Sequence, residues 1–494
     1  MTAAVSSLKI FSDICLFLMN GDKLSDAETI VDMITNHSNY TSIVSGPSSE
    51  TKTALINLLL SLTPISCSED HIPLLLSSYT GTLHPSDRAI LTLLNRYETL
   101  AGLDLSPYQP LVWGPPAAPH YSVSNSNGWK QIKCSEILGM LDTNLMRRTC
   151  EKFPIMLPLD VECEISDDDI EDESIYDPRF LLPMLSYLLS SEVYIDKHIK
   201  FLEVGAVGLA LCSLASKDRD VRRAGYHVVA KVNSALETAK LSQEKQIWTH
   251  MISLLRLGVV TSSLTKAGRV SSIITQYLSR CVDVLLNPVS PMYKTVSKSV
   301  LAKPMLELGT IPEFQRLVVG DKTEFRWMME SVRAGLRDSR DYSLCVRSNM
   351  SKLICSSVDS VVLDRVGHLL VLDIILASVA TNYGCVDLVT RHGLLTWCLA
   401  IIDKEKVDKA YIRKIISITQ QVVDTAGKID QNKQISNDEN GEEMKDNRRL
   451  LLQTIEVPLR TILSSLKYFG ENRHEPEMMS DILKIEAAYH SKTQ

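Results

Sequence analysis

The sequence predicts an all-α fold in which pairs of helices stack side by side into a solenoid. Apolar residues recur at intervals of three and four along most of the chain, and no long run alternates apolar and polar residues as a strand would. A complete helix, turn and helix unit lies between Tyr176 and Lys231, and further helical pairs follow at intervals of about 40 residues. This spacing is typical of HEAT and armadillo repeats, so we expect an all-α right-handed superhelix of that type.

Residues 1–105 are predicted to be a region of short helices. Apolar spacing indicates helices over Leu8–Met19, Ser25–Thr35, Thr51–Leu62 and Ser86–Leu100. Prolines lie between the later helices and keep them short, because a proline inside a helix removes a backbone donor and clashes with the preceding turn.

Residues 106–159 are predicted to form a proline-rich connector followed by short helices over Cys134–Leu141 and Asn144–Glu151. The stretch Trp113–Pro119 is predicted to be extended, because its prolines forbid a regular helix. We interpret it as a linker, and the alternative is a polyproline-type ligand for a peptide-binding groove.

Residues 160–177 carry ten acidic side chains and no lysine or arginine. Such a run repels itself, so it is predicted to be a solvated, disordered linker between two packed bodies. The alternative is a regulated loop or a loop that binds a basic partner. Ser166 directly precedes three aspartates and suits an acidophilic kinase, which makes it the candidate phosphorylation site.

Residues 178–426 are predicted to be the helical-repeat domain. Asp177 is an N-cap and Pro178 stands at the first helical position, so a helix is expected to run from there through Leu189. The second helix, Ile199–Ala215, contains two glycines that each cost about 1 kcal/mol relative to alanine. We expect these glycines, Gly205 and Gly208, to permit close contact with a neighbouring helix.

A polar turn over Ser216–Asp220 leads into a third helix with one apolar face, formed by Val221, Ala224, Val228, Val229, Val232, Ala235 and Leu236. The remaining helices of the domain are predicted over Glu244–Val260, Ser263–Leu286, Thr323–Leu336, Asp341–Val358, Val361–Thr381, Val386–Ile402 and Lys409–Ala426. Residues 427–447 are predicted to be a flexible polar insertion, and residues 448–494 a capping helix, Arg448–Leu466, with a partly ordered tail.

Composition restricts the functions open to this chain of 494 residues. Its net charge is −7, so contact with nucleic acid or an anionic membrane requires a local basic patch. Its eleven cysteines lack the paired spacing of a zinc site and are interpreted as reduced core thiols. No signal peptide is expected because Asp13 interrupts the N-terminal apolar run, and no transmembrane segment is expected because Asp373 interrupts the longest later one.

The sequence contains no motif of a known catalytic site. It has no phosphate-binding glycine loop, no His-Glu-x-x-His helix, no nucleophile elbow and no Rossmann glycine pattern, so we predict neither an enzyme nor a bound cofactor. His227 lies beside an apolar helical face without an acidic or cysteine partner at ligand spacing, and it is interpreted as structural.

One constellation suggests binding to phosphate groups. Six basic residues follow one another at increments of four, seven, four, three and seven, namely Lys322, Arg326, Arg333, Arg337, Arg340 and Arg347. On a continuous helix they form one cationic stripe suited to RNA phosphates. The alternative is an ordinary solvated face, in which the interleaved acids Glu324, Glu330, Asp338 and Asp341 pair with the arginines.

Several segments resemble the C-terminal region of the nucleolar pre-ribosomal-associated protein family, the Npa/Urb ribosome-assembly factors. The segments occur in the family's order, with weaker similarity upstream at Gly81–Arg88 and Leu111–Gly114, and the resemblance covers roughly residues 74–402. They are Tyr176–Pro183, Ala224–Val228, Lys322–Trp327, Gly335–Asp338, Tyr342–Cys345 and Leu394–Trp397.

This resemblance implies a nucleolar, non-catalytic scaffold in early assembly of the large ribosomal subunit, which acts with other assembly factors and pre-rRNA. It implies no cofactor, membrane or small-molecule substrate. Family members are several-fold longer, so the chain resembles their C-terminal portion. The alternative is a general HEAT or armadillo adaptor, such as a transport or phosphatase-regulatory subunit.

Overall fold

The computed structural model describes residues 8, 24–63, 65–109, 111–124, 132–166, 169–190, 201–238, 243–261, 268–357, 363–402, 408–431, 454–468 and 476–493. These residues form helices joined by turns and loops, and within them the only β-type pairing is an isolated antiparallel bridge between Thr82 and Tyr176. The all-α prediction is therefore confirmed. The chain divides into two compact units, one of Met1–Ile252 with Leu264–Arg269 and one of Ser253–Ser263 with Val270–Gln494.

Besides a short 3₁₀-helix, Ser106–Tyr108, the first unit contains eleven α-helices that lie wholly within the described residues. They are α1 Leu24–Thr35, α2 Tyr40–Val44, α3 Glu50–Ser61, α4 His71–Ser78, α5 Pro85–Thr99, α6 Ala117–Ser124, α7 Cys134–Leu138, α8 Thr143–Glu151, α9 Pro178–Ser190, α10 Ala206–Ser213 and α11 Arg219–Thr238. The predicted helix over Leu8–Met19 lies outside the described residues except for Leu8. Helix α12, Gln243–Thr261, then runs across the boundary of the two units.

Helix α9 begins as its start signal predicts. The Asp177 carboxylate accepts a 2.8 Å hydrogen bond from the Arg179 backbone N–H, and Pro178 occupies the first helical position. The guanidinium of Arg179 also pairs with Asp177 at 2.7 Å, and both side chains are fully buried. The predicted apolar face of α11 is buried at Val221, Val228, Val229, Val232 and Leu236.

The second predicted helix of this unit is interrupted by one of its glycines. Residues 201–203 are helical, but the helix does not continue into α10, which begins only at Ala206. Gly205 lies between them with φ +80°, a left-handed conformation that interrupts the helix. A Cβ on Gly205 would lie 3.2 Å from the Met146 Cγ of α8, so the close contact with a neighbouring helix expected at Gly205 is present. A closer approach lies at Gly225 of α11, where a Cβ would stand 1.9 Å from the Ser213 hydroxyl of α10. Gly208 is buried inside α10.

The proline-rich connector is not extended throughout. Helix α6 begins at Ala117, with Pro119 in its first turn, where a proline needs no backbone donor. Val112 and Trp113 are buried, and the Trp113 ring packs edge-on against Phe180 with 5.3 Å between centroids. This packing contradicts the interpretation of the stretch as a linker. Because Trp113 is buried, its side chain is not exposed for binding in the groove of a partner, as a polyproline-type ligand requires.

The acidic segment is packed against the first unit, which contradicts its prediction as a disordered linker. Ile170 and Ile175 join a buried cluster with Leu83 and Leu157. Asp172 pairs with Arg148 at 2.6 Å and with Lys152 at 3.2 Å, and Glu162 pairs with Arg96 at 2.8 Å. Cations from neighbouring helices therefore neutralise part of a run that repels itself in isolation.

The second unit is built on a row of long helices. Helix α13, Ser272–Leu285, is buried on nearly all sides, and successive contacts run from α13 to α16, from α16 to α19, from α19 to α22 and from α22 to the last helix, α24. The helices that follow α13 are α14 Tyr293–Ala302, α15 Phe314–Val318, α16 Lys322–Gly335, α17 Ser339–Arg347, α18 Met350–Ser357, α19 Arg365–Val379, α20 Asn382–Val386, a π-helical turn Asp387–Arg391, α21 Leu394–Ile402, α22 Lys409–Gln431, α23 454–468 and α24 Pro476–Thr493.

An aspartate precedes three helices of this row. Asp321, Asp364 and Asp408 each accept hydrogen bonds from backbone N–H groups in the first turn of α16, α19 and α22. In each case the next residue is basic, namely Lys322, Arg365 or Lys409. The three helices therefore begin with the same local signal at intervals of about 45 residues.

Several predicted boundaries in the second unit are wrong. Asn349, with φ +54°, separates α17 from α18 within the single predicted helix Asp341–Val358. Helices α14 and α15 were not predicted. Helix α22 continues through Gln431, so the predicted flexible insertion does not start at Gly427, and residues 432–453 lie outside the described residues. The tail predicted to be partly ordered contains α24, which buries Met478, Ile482 and Ile485.

Candidate phosphate-contact surface

The six basic residues of the predicted stripe do not share a continuous helix. Lys322, Arg326 and Arg333 lie on α16, which ends at Gly335, while Arg340 and Arg347 lie on α17. Leu336 between the two helices is extended, with ψ 91°. The expected single stripe is therefore replaced by two basic faces on two helices, with Arg337 in the turn between them.

The turn between α16 and α17 is fixed by two aspartates. Asp338 accepts hydrogen bonds from the N–H groups of Arg340 and Asp341, both at 3.0 Å, and so caps α17. Asp341 is fully buried and accepts a 2.8 Å hydrogen bond from the Ser272 N–H at the start of α13. Arg337 points its Nε back to the Ala334 carbonyl at 2.8 Å. Helix capping, and not periodicity, therefore decides where these side chains lie.

Most of the six basic side chains remain available to a partner. Four of them are exposed, namely Lys322, Arg333, Arg340 and Arg347. Arg326 pairs with Asp364 at 2.7 Å, where both side chains are about half exposed. In the part of the chain that the structure describes, Arg333 takes part in no ion pair.

Two of the interleaved acids bind groups outside the six. The Glu330 carboxylate pairs with Arg280 of α13, and the Glu324 carboxylate accepts a 2.9 Å hydrogen bond from the Thr295 hydroxyl. These two acids are therefore engaged with other helices of the second unit, and among the described residues neither of them forms an ion pair with an arginine of the predicted stripe.

The structure adds Arg365 to the basic residues predicted from the sequence. Arg326 of α16 pairs with Asp364 at the start of α19, and Arg365 of α19 pairs with Asp408 at the start of α22. The Gly367 N–H, together with the Arg326 guanidinium, holds the pKa of Asp364 below its usual value. Arg365 lowers the pKa of Asp408 in the same way. An aspartate followed by a basic residue recurs in the sequence before α16, α19 and α22, and this repeat could have revealed the two ion pairs between successive helices.

Two adjoining cavities lie between the helices of this row, beside the two ion pairs. A cavity of about 400 Å³ lies between α19 and α22 and is lined by Arg365, Asp408, Lys409 and Arg413. A cavity of about 670 Å³ is lined by residues of α16, α19, α22 and α24, with Arg333 and Lys484 among them. Lys414 and Ser417 line both cavities.

The candidate phosphorylation site Ser166 and the histidine interpreted as structural, His227, both lie at the surface. His227 is exposed on α11, and Ser166 is exposed, with its carbonyl accepting a hydrogen bond from the Asp169 N–H at 3.0 Å. The described residues contain no group of His, Cys, Asp and Glu side chains able to hold a metal ion. Among them no single helix meets the length and apolarity of a membrane span, and the joint candidate of α19 with Asn382–Arg391 is bent by 111°.

These features define the class of protein: an all-helical chain whose second unit presents basic side chains along a row of helices. Residues 207–397 match the family model described as nucleolar pre-ribosomal-associated protein 1. The chain belongs to this family.

Proteins of that name in human and mouse are similar to most of the chain. The human relative is 30% identical over 388 residues, which cover 75% of this chain and 17% of the relative. The mouse relative is 30% identical over 420 residues, which cover 80% of this chain and 18% of the relative. A yeast protein of the same name, from Saccharomyces cerevisiae, is 18% identical over 473 residues, covering 80% of this chain and 27% of its own length. No solved structure matches the chain significantly.

Proposed function

We propose that this chain belongs to a non-catalytic nucleolar scaffold that acts in early assembly of the large ribosomal subunit and in rRNA maturation. The observation that carries this proposal is the 30% identity to nucleolar pre-ribosomal-associated protein 1 of human and mouse over three quarters or more of the chain. The chain spans less than a fifth of the length of those two relatives.

We propose that these helices form a helical-repeat architecture of HEAT or armadillo type, which supports a scaffold role. Helices α16, α19 and α22 each begin after a capping aspartate, at intervals of about 45 residues, and each contacts the next. Stacked helix pairs of this kind present long surfaces on which several partners bind at once. We propose other ribosome-assembly factors as the protein partners.

Direct contact with pre-rRNA is proposed at the exposed basic residues of α16 and α17. Phosphate contacts require local positive charge in a chain of net charge −7, and Lys322, Arg340 and Arg347 are exposed there. Arg326, Arg333 and Arg337 complete the proposed set. Contacts of this kind depend on salt and not on RNA sequence.

The test is RNA crosslinking in nuclear extract with a variant that carries Lys322→Ala, Arg340→Ala and Arg347→Ala. The proposal predicts a several-fold loss of crosslinked pre-rRNA while the thermal unfolding midpoint stays unchanged, because the three side chains are exposed. The matched control is Arg219→Ala, an exposed arginine of the first unit. Unaltered crosslinking in the triple variant contradicts the RNA contact and leaves a scaffold that binds proteins alone.

The second candidate is a general helical-repeat adaptor in transport or phosphatase regulation. The observation that favours it is the all-helical fold, since one fold class serves many unrelated binding functions. Affinity purification from nuclear extract with sequencing of bound RNA separates the two candidates. Enrichment of pre-rRNA supports the assembly scaffold, and its absence together with transport or phosphatase subunits supports the adaptor.

Ser166 is proposed as a regulatory phosphorylation site within this function. It is exposed and lies in a segment whose neighbouring acids are attached to the first unit by ion pairs. A phosphate at this position adds negative charge beside Asp169 without entering a buried environment. Incubation with an acidophilic kinase and mass spectrometry tests it, with Ser166→Ala as the control.

A further inference from the structure

The two adjoining cavities of the second unit form one open groove, here called the α22 groove. It is lined by Arg333 of α16, Arg365 of α19, Lys409, Arg413 and Lys414 of α22, and Lys484 of α24. Three carboxylates, Asp373, Asp408 and Asp481, line it as well. The lining therefore carries an excess of positive charge in a chain that is negative overall.

The ion pairs in the groove leave some of its cations unneutralised. Lys414 pairs with Asp373, and Lys484 pairs with Asp481 at 2.9 Å. Arg365 pairs with Asp408. Among the residues that the structure describes, the guanidinium groups of Arg333 and Arg413 have no carboxylate partner, and both side chains are exposed.

Three of the neutral lining residues are polar, and the other seven are aliphatic, namely Leu369, Leu376, Ala377, Ala380, Ala410, Ile416 and Ile485. Gln420 and Gln421 each use their side-chain amide N–H within α22, toward Asp424 and Thr425, so each retains an unused amide carbonyl as an acceptor. Ser417 adds a hydroxyl that donates to the Arg413 carbonyl and still has lone pairs to accept a hydrogen bond. Acceptors next to cations suit a ligand that presents both phosphates and hydroxyl groups.

No aromatic residue is among the described side chains that line either cavity. Proteins that hold single-stranded RNA stack its bases on aromatic rings, whereas double-helical RNA is bound through its phosphates and 2′-hydroxyl groups. The groove offers cations together with amide and hydroxyl acceptors, and its described lining contains no aromatic ring. This combination favours binding to the backbone of double-helical RNA over binding to the bases of a single strand.

We propose that the α22 groove binds the sugar-phosphate backbone of a double-helical RNA segment, with Arg333 and Arg413 as the main phosphate contacts. Lys409 and Lys484 flank these two, and Gln420, Gln421 and Ser417 accept from 2′-hydroxyl groups. This inference rests on the proposed function in pre-rRNA binding and adds the class of RNA structure. It also extends the contact beyond the six residues predicted from sequence to α22 and α24.

The experiment measures binding of the full 494-residue chain to a short RNA hairpin, to an unpaired RNA of equal length and to an acidic peptide of similar net charge. The groove variant carries Arg413→Glu and Lys484→Glu, and the matched control carries Arg219→Glu, at an exposed site of the first unit. Loss of two phosphate contacts is expected to weaken hairpin binding about tenfold and to lower the salt slope by about two units.

Each outcome decides one point. Hairpin binding that is tighter than single-strand binding, and is lost in the groove variant alone, supports the proposal. Equal hairpin affinity in the groove variant and the wild-type chain overturns it, as does tighter binding of the acidic peptide. If the Lys322, Arg340 and Arg347 variant loses RNA while the groove variant retains it, the proposed function stands and only the groove is refuted.

Discussion

Asp341 accepts a 2.6 Å hydrogen bond from the hydroxyl of Ser271, seventy residues before it in the chain. The same carboxylate oxygen accepts the Ser272 N–H, so one buried side chain in the first turn of α17 also caps α13. Because a buried carboxylate needs its donors, this pair fixes α17 against the most buried helix of the second unit.

We predict that Asp341→Ala lowers the free energy of unfolding by about 3 kcal/mol. The carboxylate also accepts the Arg337 N–H at 3.3 Å, so at least three hydrogen bonds are lost, and the buried donors of Ser271 and Ser272 stay unsatisfied. Denaturant unfolding measures the change. The matched control is Glu456→Ala, which removes an exposed ion pair with Arg460 in the same unit and is expected to cost less than about 0.5 kcal/mol. Equal effects of the two substitutions contradict the proposed role of Asp341.

Gly335 permits the close crossing of α13 and α16. A Cβ at this position would lie 2.4 Å from the Ile273 Cα and 2.7 Å from its backbone nitrogen. Gly335→Ala is therefore expected to destabilise the chain by about 2 kcal/mol, because backbone atoms must move to admit the methyl group.

Gly309 provides the matched control for this prediction. A Cβ there meets no atom within 4 Å, and the backbone of Gly309 is not left-handed. Gly309→Ala should leave the thermal unfolding midpoint unchanged or raise it slightly, since alanine restricts the unfolded chain. A lower midpoint for Gly309→Ala than for Gly335→Ala is the contrary result.

Asp172 makes the packing of the acidic segment sensitive to pH. Burial opposes its charge, but hydrogen bonds from Ser174 and the cations of Lys152 and Arg148 outweigh burial and lower its pKa to about 2. Because this pKa is lower than the value of about 3.9 in the unfolded chain, the ionised carboxylate stabilises the folded state above about pH 4. The stabilisation is lost as the pH falls toward 2 and the carboxylate takes up a proton.

Hydrogen exchange at the backbone N–H of Ser174, which donates to Asp172 at 3.1 Å, reports this change. We expect protection of that amide above about pH 4 and its progressive loss between pH 4 and pH 2. Asp172→Asn should remove the protection at neutral pH, whereas Asp169→Asn, at an exposed site, should not. Protection that is independent of pH in the wild-type chain contradicts the account.

The buried ion pair of Asp177 and Arg179 gives a fourth prediction. Their side chains are 0% and 1% exposed, so Arg179→Met leaves an uncompensated buried carboxylate and is expected to cost about 3–5 kcal/mol. The control is Arg223→Met, whose partner Asp220 is 60% exposed and whose loss should cost less than about 1 kcal/mol. Denaturant midpoints of the two variants give the comparison, and similar midpoints refute the prediction.

The fold class and most long helices follow from local signals in the sequence. Apolar periodicity predicts α11, α12 and α16 to within a few residues, and the pair Asp177 and Pro178 predicts the start of α9. These signals succeed because each involves residues within one or two turns of each other.

The missed features depend on contacts between distant residues. The acidic segment is ordered because Arg96, Arg148 and Lys152 come from other helices, which no local charge count reveals. The cationic stripe is divided because Asp338 caps a new helix, and the α22 groove joins residues from 333 to 484. Composition could not place these groups side by side.

Sedimentation with pre-ribosomal particles tests the central claim of an assembly scaffold most directly. Nuclear extract that contains the tagged chain is separated on a sucrose gradient, and each fraction is probed for the tag and for precursor rRNA of the large subunit. We expect the chain to sediment with that precursor and to move to the top of the gradient after ribonuclease treatment. A chain that remains at the top without ribonuclease, apart from every fraction that contains precursor rRNA, contradicts it.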